Sequence, residues 1–320
     1  MPGPSFLDRY FSMAGIITRL HDRAMIRKQS LDTFAILAMV VLCALWAFQQ
    51  ISIKAIIPEV PPFWQSAVRS IGATLLLAGW FRYAGLTWMK GLFWPGVLVG
   101  TLFSIEFGLL YLSLGYTDAA RAALLLYTAP FVVAIGAHFL MPGERLSILG
   151  WLGIVIAFIG TGLVLRTSVS VDPTKFLGDA CALAAGILWG FTTLAIRMTG
   201  LARAPASQTL LYQLGTSCLL LTAAAFVFEG TMPMPHSLLA WSSLAYQTVI
   251  VAALSFLAWF ALIARYSATK LSVFTFLTPL LAALAGILLL GERIDTHHVA
   301  ALISIVTGIV IVNLWGHRHD

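Results

Sequence analysis

Glu106 and Arg69 are the side chains whose type and surroundings call first for a chemical explanation, because each lies deep in a long apolar run. Glu106 is the only acidic residue well inside any such run, roughly 12 Å from its end at 1.5 Å per residue. A charge near the centre of a membrane helix costs about 2.5 to 3.5 kcal/mol on insertion scales, so each needs a partner or a task. Two readings stand. In one, the two charges form a buried ion pair that fixes the register of neighbouring helices. In the other, a carboxylate and a guanidinium face a polar cavity, where the protonation of Glu106 follows the cavity's access and its occupant, coupling protons to a small-molecule cargo. Further candidates surround them at helical spacing. Trp46, Gln49, Gln50 and Ile53 fall at i, i+3, i+4 and i+7, and Trp189, Thr192 and Thr193 repeat the arrangement later in the chain. Gln208, Tyr212, Gln213, Tyr127, Tyr246 and Gln247 add hydrogen-bonding groups to the candidate lining. The alternative for each is an interhelical hydrogen bond worth about 0.6 kcal/mol. Tyr111, about 140° around the helix from Glu106, falls outside this set.

The elements that must position these residues follow from composition. Of 320 residues, 60% are hydrophobic and 10% charged, and mean hydropathy is +0.92, far from the roughly quarter-charged makeup of soluble domains. At about 20 residues per crossing, this supports about ten membrane helices. Continuous apolar runs such as Ile36 to Trp46 and Leu280 to Leu290 exclude the alternating pattern of an outer-membrane barrel. Turn residues and charges place spans near 32–57, 62–82, 91–114, 119–140, 147–166, 177–199, 206–228, 238–264, 269–290 and 297–315. The expected class is an all-α polytopic membrane protein with ten transmembrane helices. Residues 1–31 form a cytoplasmic amphipathic or disordered leader, 169–176 a linker, and 316–320 a cytoplasmic tail. With both termini inside, thirteen of the nineteen Lys and Arg residues fall on the cytoplasmic side, as the positive-inside rule requires. The net charge of +6 is scattered singly at span ends, so it reports topology and excludes nucleic acid as a partner. Cys43, Cys181 and Cys218 lie in apolar segments without metal or disulfide spacing. No metal and no cofactor are expected.

The halves repeat one another. Leu45-Trp46-Ala47-Phe48 returns as Leu188-Trp189-Gly190-Phe191, and a cation, Lys54 or Arg197, follows eight residues after each tryptophan. Tyr127-Thr128-Ala129-Pro130 returns as Phe276-Leu277-Thr278-Pro279, Gly143-Glu144-Arg145 as Gly291-Glu292-Arg293, and Thr161-Gly162 as Thr307-Gly308. Order is preserved throughout, which points to duplicated units at 32–168 and 177–315. Five spans is an odd number, so the second unit enters the membrane from the opposite side, and the architecture is two inverted five-helix repeats. Inverted repeats suit alternating access to a midplane site.

Over residues 32 to 315 these landmarks resemble the EamA-domain exporters of the drug/metabolite transporter superfamily, which have ten spans in two repeats. The matching features are the tryptophan in each first helix, the proline in each fourth, the Gly-Glu-Arg turn, and the Thr-Gly close. The resemblance implies export of amino acids, metabolites or drugs across the bacterial inner membrane without ATP. It also makes Lys54 a gate candidate, although its place near a span end is expected to let it snorkel to the surface. No phosphate-binding G-x-x-x-x-G-K-[ST] loop occurs in the chain. An exchanger of phosphorylated metabolites would call for more buried cations than Arg69. An intramembrane enzyme would call for a motif such as H-E-x-x-H, which the sequence lacks.

Pro130 and Pro279 occupy matched positions in the fourth helix of each repeat, where proline removes a backbone bond and kinks the helix. They are candidate hinges, or else static kinks that shape the bundle. Gly150, Gly153, Gly160 and Gly162 make a small-residue face for close helix contact, within the bundle or in a homodimer. His138 reads as an interfacial residue, and the adjacent His297 and His298 point about 100° apart, a poor metal pair.

Overall fold

A computed structural model describes residues 32–141, 145–266, 274–275, 277–293 and 296–315. The expected leader and tail, Gly143 and Glu144 of the first Gly-Glu-Arg turn, and Phe276 of the second proline motif lie outside the described residues. All described regular structure is helical. In chain order the helices are α1 (Thr33–Ile56), α2 (Pro62–Tyr83), α3 (Phe93–Tyr116), α4 (Ala119–Leu126), α5 (Ala129–Leu140), α6 (Ile148–Val171) and α7 (Pro173–Met198). A 3-10 turn (Gly200–Arg203) leads to α8 (Ala206–Glu229) and α9 (Leu238–Ala245), followed by a π-helical segment (Tyr246–Ser255). The last helices are α10 (Phe256–Arg265), α11 (Leu277–Leu290) and α12 (Thr296–Trp315).

Local chemistry sets the ends. Asp32 accepts from the Ala35 amide at 3.0 Å to cap α1, and Ser237 accepts from the Ala240 amide at 3.0 Å to cap α9. α6 continues to Val171, and α7 starts at Pro173 with Asp172 accepting from the Thr174 amide at 2.9 Å. The turn between the halves is therefore confined to the neighbourhood of Asp172. Gly291 supplies the left-handed backbone, φ +66°, that ends α11.

Among the described residues, six helical segments are long and apolar enough to cross a bilayer: Thr33–Ile56, Phe93–Tyr116, Ala119–Leu140, Pro173–Met198, Ala206–Glu229 and Leu238–Trp259. α2 is 22 residues long, but Gln65, Arg69 and Arg82 lower its hydropathy. Shorter apolar helices cover Ile148–Val164, Leu277–Leu290 and Thr296–Val312. The molecule is inside-out relative to a soluble domain. Leu37, Leu75, Phe139, Leu219, Val227 and Leu288 are exposed, whereas Gln65, Arg69, Gln208, Ser217 and Gln247 are fully buried. Apolar side chains facing outward meet lipid without cost, and buried polar groups must find partners inside.

Several helix contacts have a counterpart when the first and second halves of the chain are interchanged. α3 against α8 has its counterpart in the π segment against α2, and α3 against α7 in the π segment against α1. α4 and α5 against α7 correspond to α11 against α1, while α2–α8 and α6–α12 are their own counterparts. Glycines permit the closest approaches. A Cβ on Gly186 of α7 would lie 2.7 Å from the Leu126 carbonyl, and one on Gly153 of α6 would lie 2.7 Å from the Gly308 carbonyl. The small-residue face of α6 is thus partly occupied by α12 of the same chain, while a Cβ on Gly162 would meet open space.

Candidate substrate site

α2 and α3 carry Arg69 and Glu106 into the interior, with 0% and 4% exposure. They do not form a direct pair: neither makes an N···O contact within 4.0 Å of the other, although each feels the other's charge. None of the three Arg69 guanidinium nitrogens has a protein hydrogen-bond partner, and Glu106 Oε2 has none either. What Arg69 does have is an aromatic floor. Its Cζ lies 3.9 Å from the centroid of Phe107 and 5.9 Å from that of Phe103, an attractive cation–π arrangement that leaves the edge donors unspent.

Beside this pair runs a buried chain of amides and hydroxyls. The Tyr111 hydroxyl donates to Gln247 Oε1 at 2.8 Å and accepts from Gln49 Nε2 at 3.5 Å. Gln247 Nε2 donates to Gln65 Oε1 and to Ser243 Oγ, both at 3.1 Å. Gln65 Nε2 in turn holds the carbonyls of Ile53 at 3.1 Å and Val60 at 2.9 Å, and Ser243 donates to the Ser52 carbonyl at 2.8 Å. The chain links α1, α2, α3, α9 and the π segment. Gln50 Oε1 on α1 is buried without a partner.

The aromatic candidates form two groups. Trp46 Nε1 donates to Ser255 Oγ at 3.0 Å at the end of the π segment, with Trp259 edge-on at 5.7 Å. Trp189 meets Tyr127 edge-on at 5.5 Å. Other candidates are committed elsewhere. Gln208 is spent on the backbone of Met89, accepting from its amide at 2.9 Å and donating to its carbonyl at 2.8 Å. Tyr212 packs edge-on against Trp88 at 5.1 Å. Thr192 donates to the Leu188 carbonyl at 2.8 Å, and Tyr246 donates to the Leu45 carbonyl at 2.7 Å. Gln213 is buried at 6% exposure on α8. Pro130 sits in the first turn of α5, after a break at Tyr127 and Thr128, and Pro279 sits in the first turn of α11. Both prolines therefore lie in first turns, where the missing N–H costs nothing, and in the first half the break lies just before Pro130.

One end of the bundle is closed by charges. Lys54 Nζ donates to Glu292 Oε1 at 2.8 Å and to the Thr117 carbonyl at 2.9 Å, and lies 3.5 Å from Asp118. It does not snorkel, because Glu292 meets it while also accepting from the Ala119 amide at the start of α4 at 2.8 Å. Asp118 also pairs with Lys175 at 3.0 Å. Partial burial raises the Asp118 carboxyl, but the Lys175 hydrogen bond and the Lys54 charge outweigh it and hold it below the usual carboxylate range. Nearby, Arg121 is buried against Asp179, with Nε at 3.1 Å, and it also donates to the Val164 carbonyl at 2.6 Å and contacts His298 Nε2 at 2.8 Å.

A family model described as the EamA-like transporter family matches the chain twice, over residues 33–166 and 176–314. The chain belongs to that family. This EamA-like protein is 25% identical over 290 residues to the uncharacterized transporter YvbV of Bacillus subtilis (strain 168), covering 89% of this chain and 93% of the relative. It is 28% identical over 258 residues to the threonine/homoserine exporter RhtA of Escherichia coli (strain K12), covering 79% of this chain and 82% of the relative. A solved crystal structure shares the fold with a TM-score of 0.64 at 22% identity, covering 89% of this chain and 98% of that one. Family and apolar helices together make the EamA-like chain a multi-pass membrane protein.

Sequence reasoning missed Tyr111 and Gln65 and gave Gln247 little weight. The 140° between Glu106 and Tyr111 is bridged by Phe107, four residues before Tyr111, whose ring carries the Arg69 guanidinium. The Phe103-Phe107-Tyr111 stripe at i, i+4, i+8 was the available signal.

Proposed function

We propose that this EamA-like protein is a secondary active transporter of the bacterial inner membrane that exports small metabolites, amino acids or drugs by alternating access. In this reading its two five-helix halves are inverted copies, both termini are cytoplasmic, and the cargo sits between the halves near the midplane. The exchange-related packing of several helices supports duplication, and five spans per half, an odd number, set the two copies in opposite senses. The observation that carries the function is the interior charge: a guanidinium and a carboxylate, both buried and neither neutralised by a direct protein partner, in a bundle whose exterior is apolar. A purely structural membrane protein has no use for such a cost. Cargo of the amino-acid type is supported by the relative named as a threonine/homoserine exporter.

Glu106 is the coupling group. Its carboxylate takes either a proton or the cargo's positive charge, so proton entry releases cargo and cargo binding releases the proton. The helix break before Pro130 and the matched first turn of α11 at Pro279 serve as hinges when the halves rock. The test is reconstitution of the wild type and Glu106→Gln in proteoliposomes, with an internal pH dye and a panel of amino acids and drugs. Cargo-driven proton flux is expected in the wild type, falling at least about tenfold in the variant. Normal flux with normal pH dependence in the variant would remove the coupling role.

A further inference from the structure

We propose that Arg69 and Glu106 are the two poles of a clamp for a small zwitterion, Arg69 receiving a carboxylate and Glu106 an ammonium. The inference rests on the transporter reading above and narrows its cargo. The chain itself shows how it builds a structural ion pair. Arg121 directs its donors to Asp179, to the Val164 carbonyl and to His298, and its charge is met at contact distance. Arg69 is equally buried and directs none of its donors to protein. Glu106, the residue before the Phe107 ring that carries the guanidinium, makes no contact with it within 4.0 Å, and Glu106 Oε2 is also unpartnered.

Two separated, opposite, unsatisfied charges are complementary to a ligand that carries both. A lone anion would satisfy Arg69 and repel Glu106, and a lone cation would do the reverse. Phe107 lies against the guanidinium at 3.9 Å while all three of its nitrogens stay uncommitted, and paired guanidinium N–H donors suit a carboxylate in bidentate geometry. Tyr111, held by Gln247 at 2.8 Å, steadies the same stripe of α3.

Counterflow into proteoliposomes tests the clamp, using the twenty proteinogenic amino acids and then the methyl ester and N-acetyl derivative of each one that moves. The free amino acid is expected to outpace both derivatives by at least about tenfold, because a site built for a charged group rejects analogues that lack it. Arg69→Gln is expected to bring the free acid down to the rate of its ester, and Arg69→Lys to keep part of the preference. An ester that moves as fast as its acid in the wild type would overturn the clamp, and that outcome does not depend on any variant folding. Movement of ethidium with none of the amino acids would overturn the clamp and leave the transporter reading standing. No movement of any compound would overturn both.

Discussion

Arg121 and Tyr111 show how much a single buried polar group commits the fold. Arg121 stands near the end of an apolar run, a position that the sequence assigns to the aqueous face, yet the structure buries it at 4% exposure against Asp179. The sequence could not reveal this because the partner is 58 residues away and itself near a span end. Asp179→Asn leaves the guanidinium without its counter-charge and is expected to lower stability by about 3 to 5 kcal/mol, read as a large drop in the thermal unfolding temperature in detergent. Tyr111→Phe removes the hydroxyl that joins Gln49 to Gln247 and is expected to cost about 1 to 3 kcal/mol by the same measurement. Asp118 has a different signature. Its folded carboxyl sits below its ordinary value, so the stability it adds is complete above the unfolded value of about 3.8 and is lost only as pH falls through the lower folded one. Asp118→Asn is therefore expected to leave the shape of the transport pH profile between pH 5 and 8 unchanged. By contrast, Arg69 and Glu106 were legible from sequence, since charge inside an apolar run announces itself energetically whatever its partners.

At the scale of elements, apolar runs and punctuation located the six long apolar segments among the described residues, because hydropathy and turn residues act locally. What escaped was how two of them are interrupted. The break at Tyr127 and Thr128 precedes Pro130 rather than centring on it: proline is tolerated in a first turn, so the chain restarts a helix there instead of bending one. The π-helical Tyr246–Ser255 segment has no glycine or proline to mark it, and its irregular turn places Gln247 toward Tyr111 and Ser255 toward Trp46. Such segments recur where function needs a re-aimed side chain. Gln208 was legible as buried, but its partner at Met89 was not, because the loop that meets it is remote in sequence. The α7 contact with α4 and α5 gives this scale its test. Gly186→Ala places a methyl 2.7 Å from the Leu126 carbonyl, a backbone atom that cannot swing aside, and is expected to destabilise by about 1 to 3 kcal/mol. Gly162→Ala meets open space and is expected to be near neutral in the same unfolding assay.

For the whole molecule, the duplicated landmarks and the exchange-related helix pairs converge on one proposal, two halves threaded through the bilayer in opposite senses. The charged cluster of Lys54, Asp118, Lys175 and Glu292 then closes the outer end, and opening toward that side requires Lys54 to leave Glu292. Orientation is the part that packing alone does not carry, since a bundle and its mirror threading bury the same side chains. Arg145 and Arg293 follow the two Gly-Glu pairs of the repeat and are both exposed. Single cysteines at Arg145→Cys and Arg293→Cys, labelled in intact cells with a membrane-impermeant maleimide and compared with the unsubstituted chain as a blank, read the arrangement directly. Inverted halves with cytoplasmic termini require position 293 to label from outside and position 145 only after the membrane is permeabilised. Labelling of both positions from the same side would contradict the inverted arrangement and the alternating access built on it.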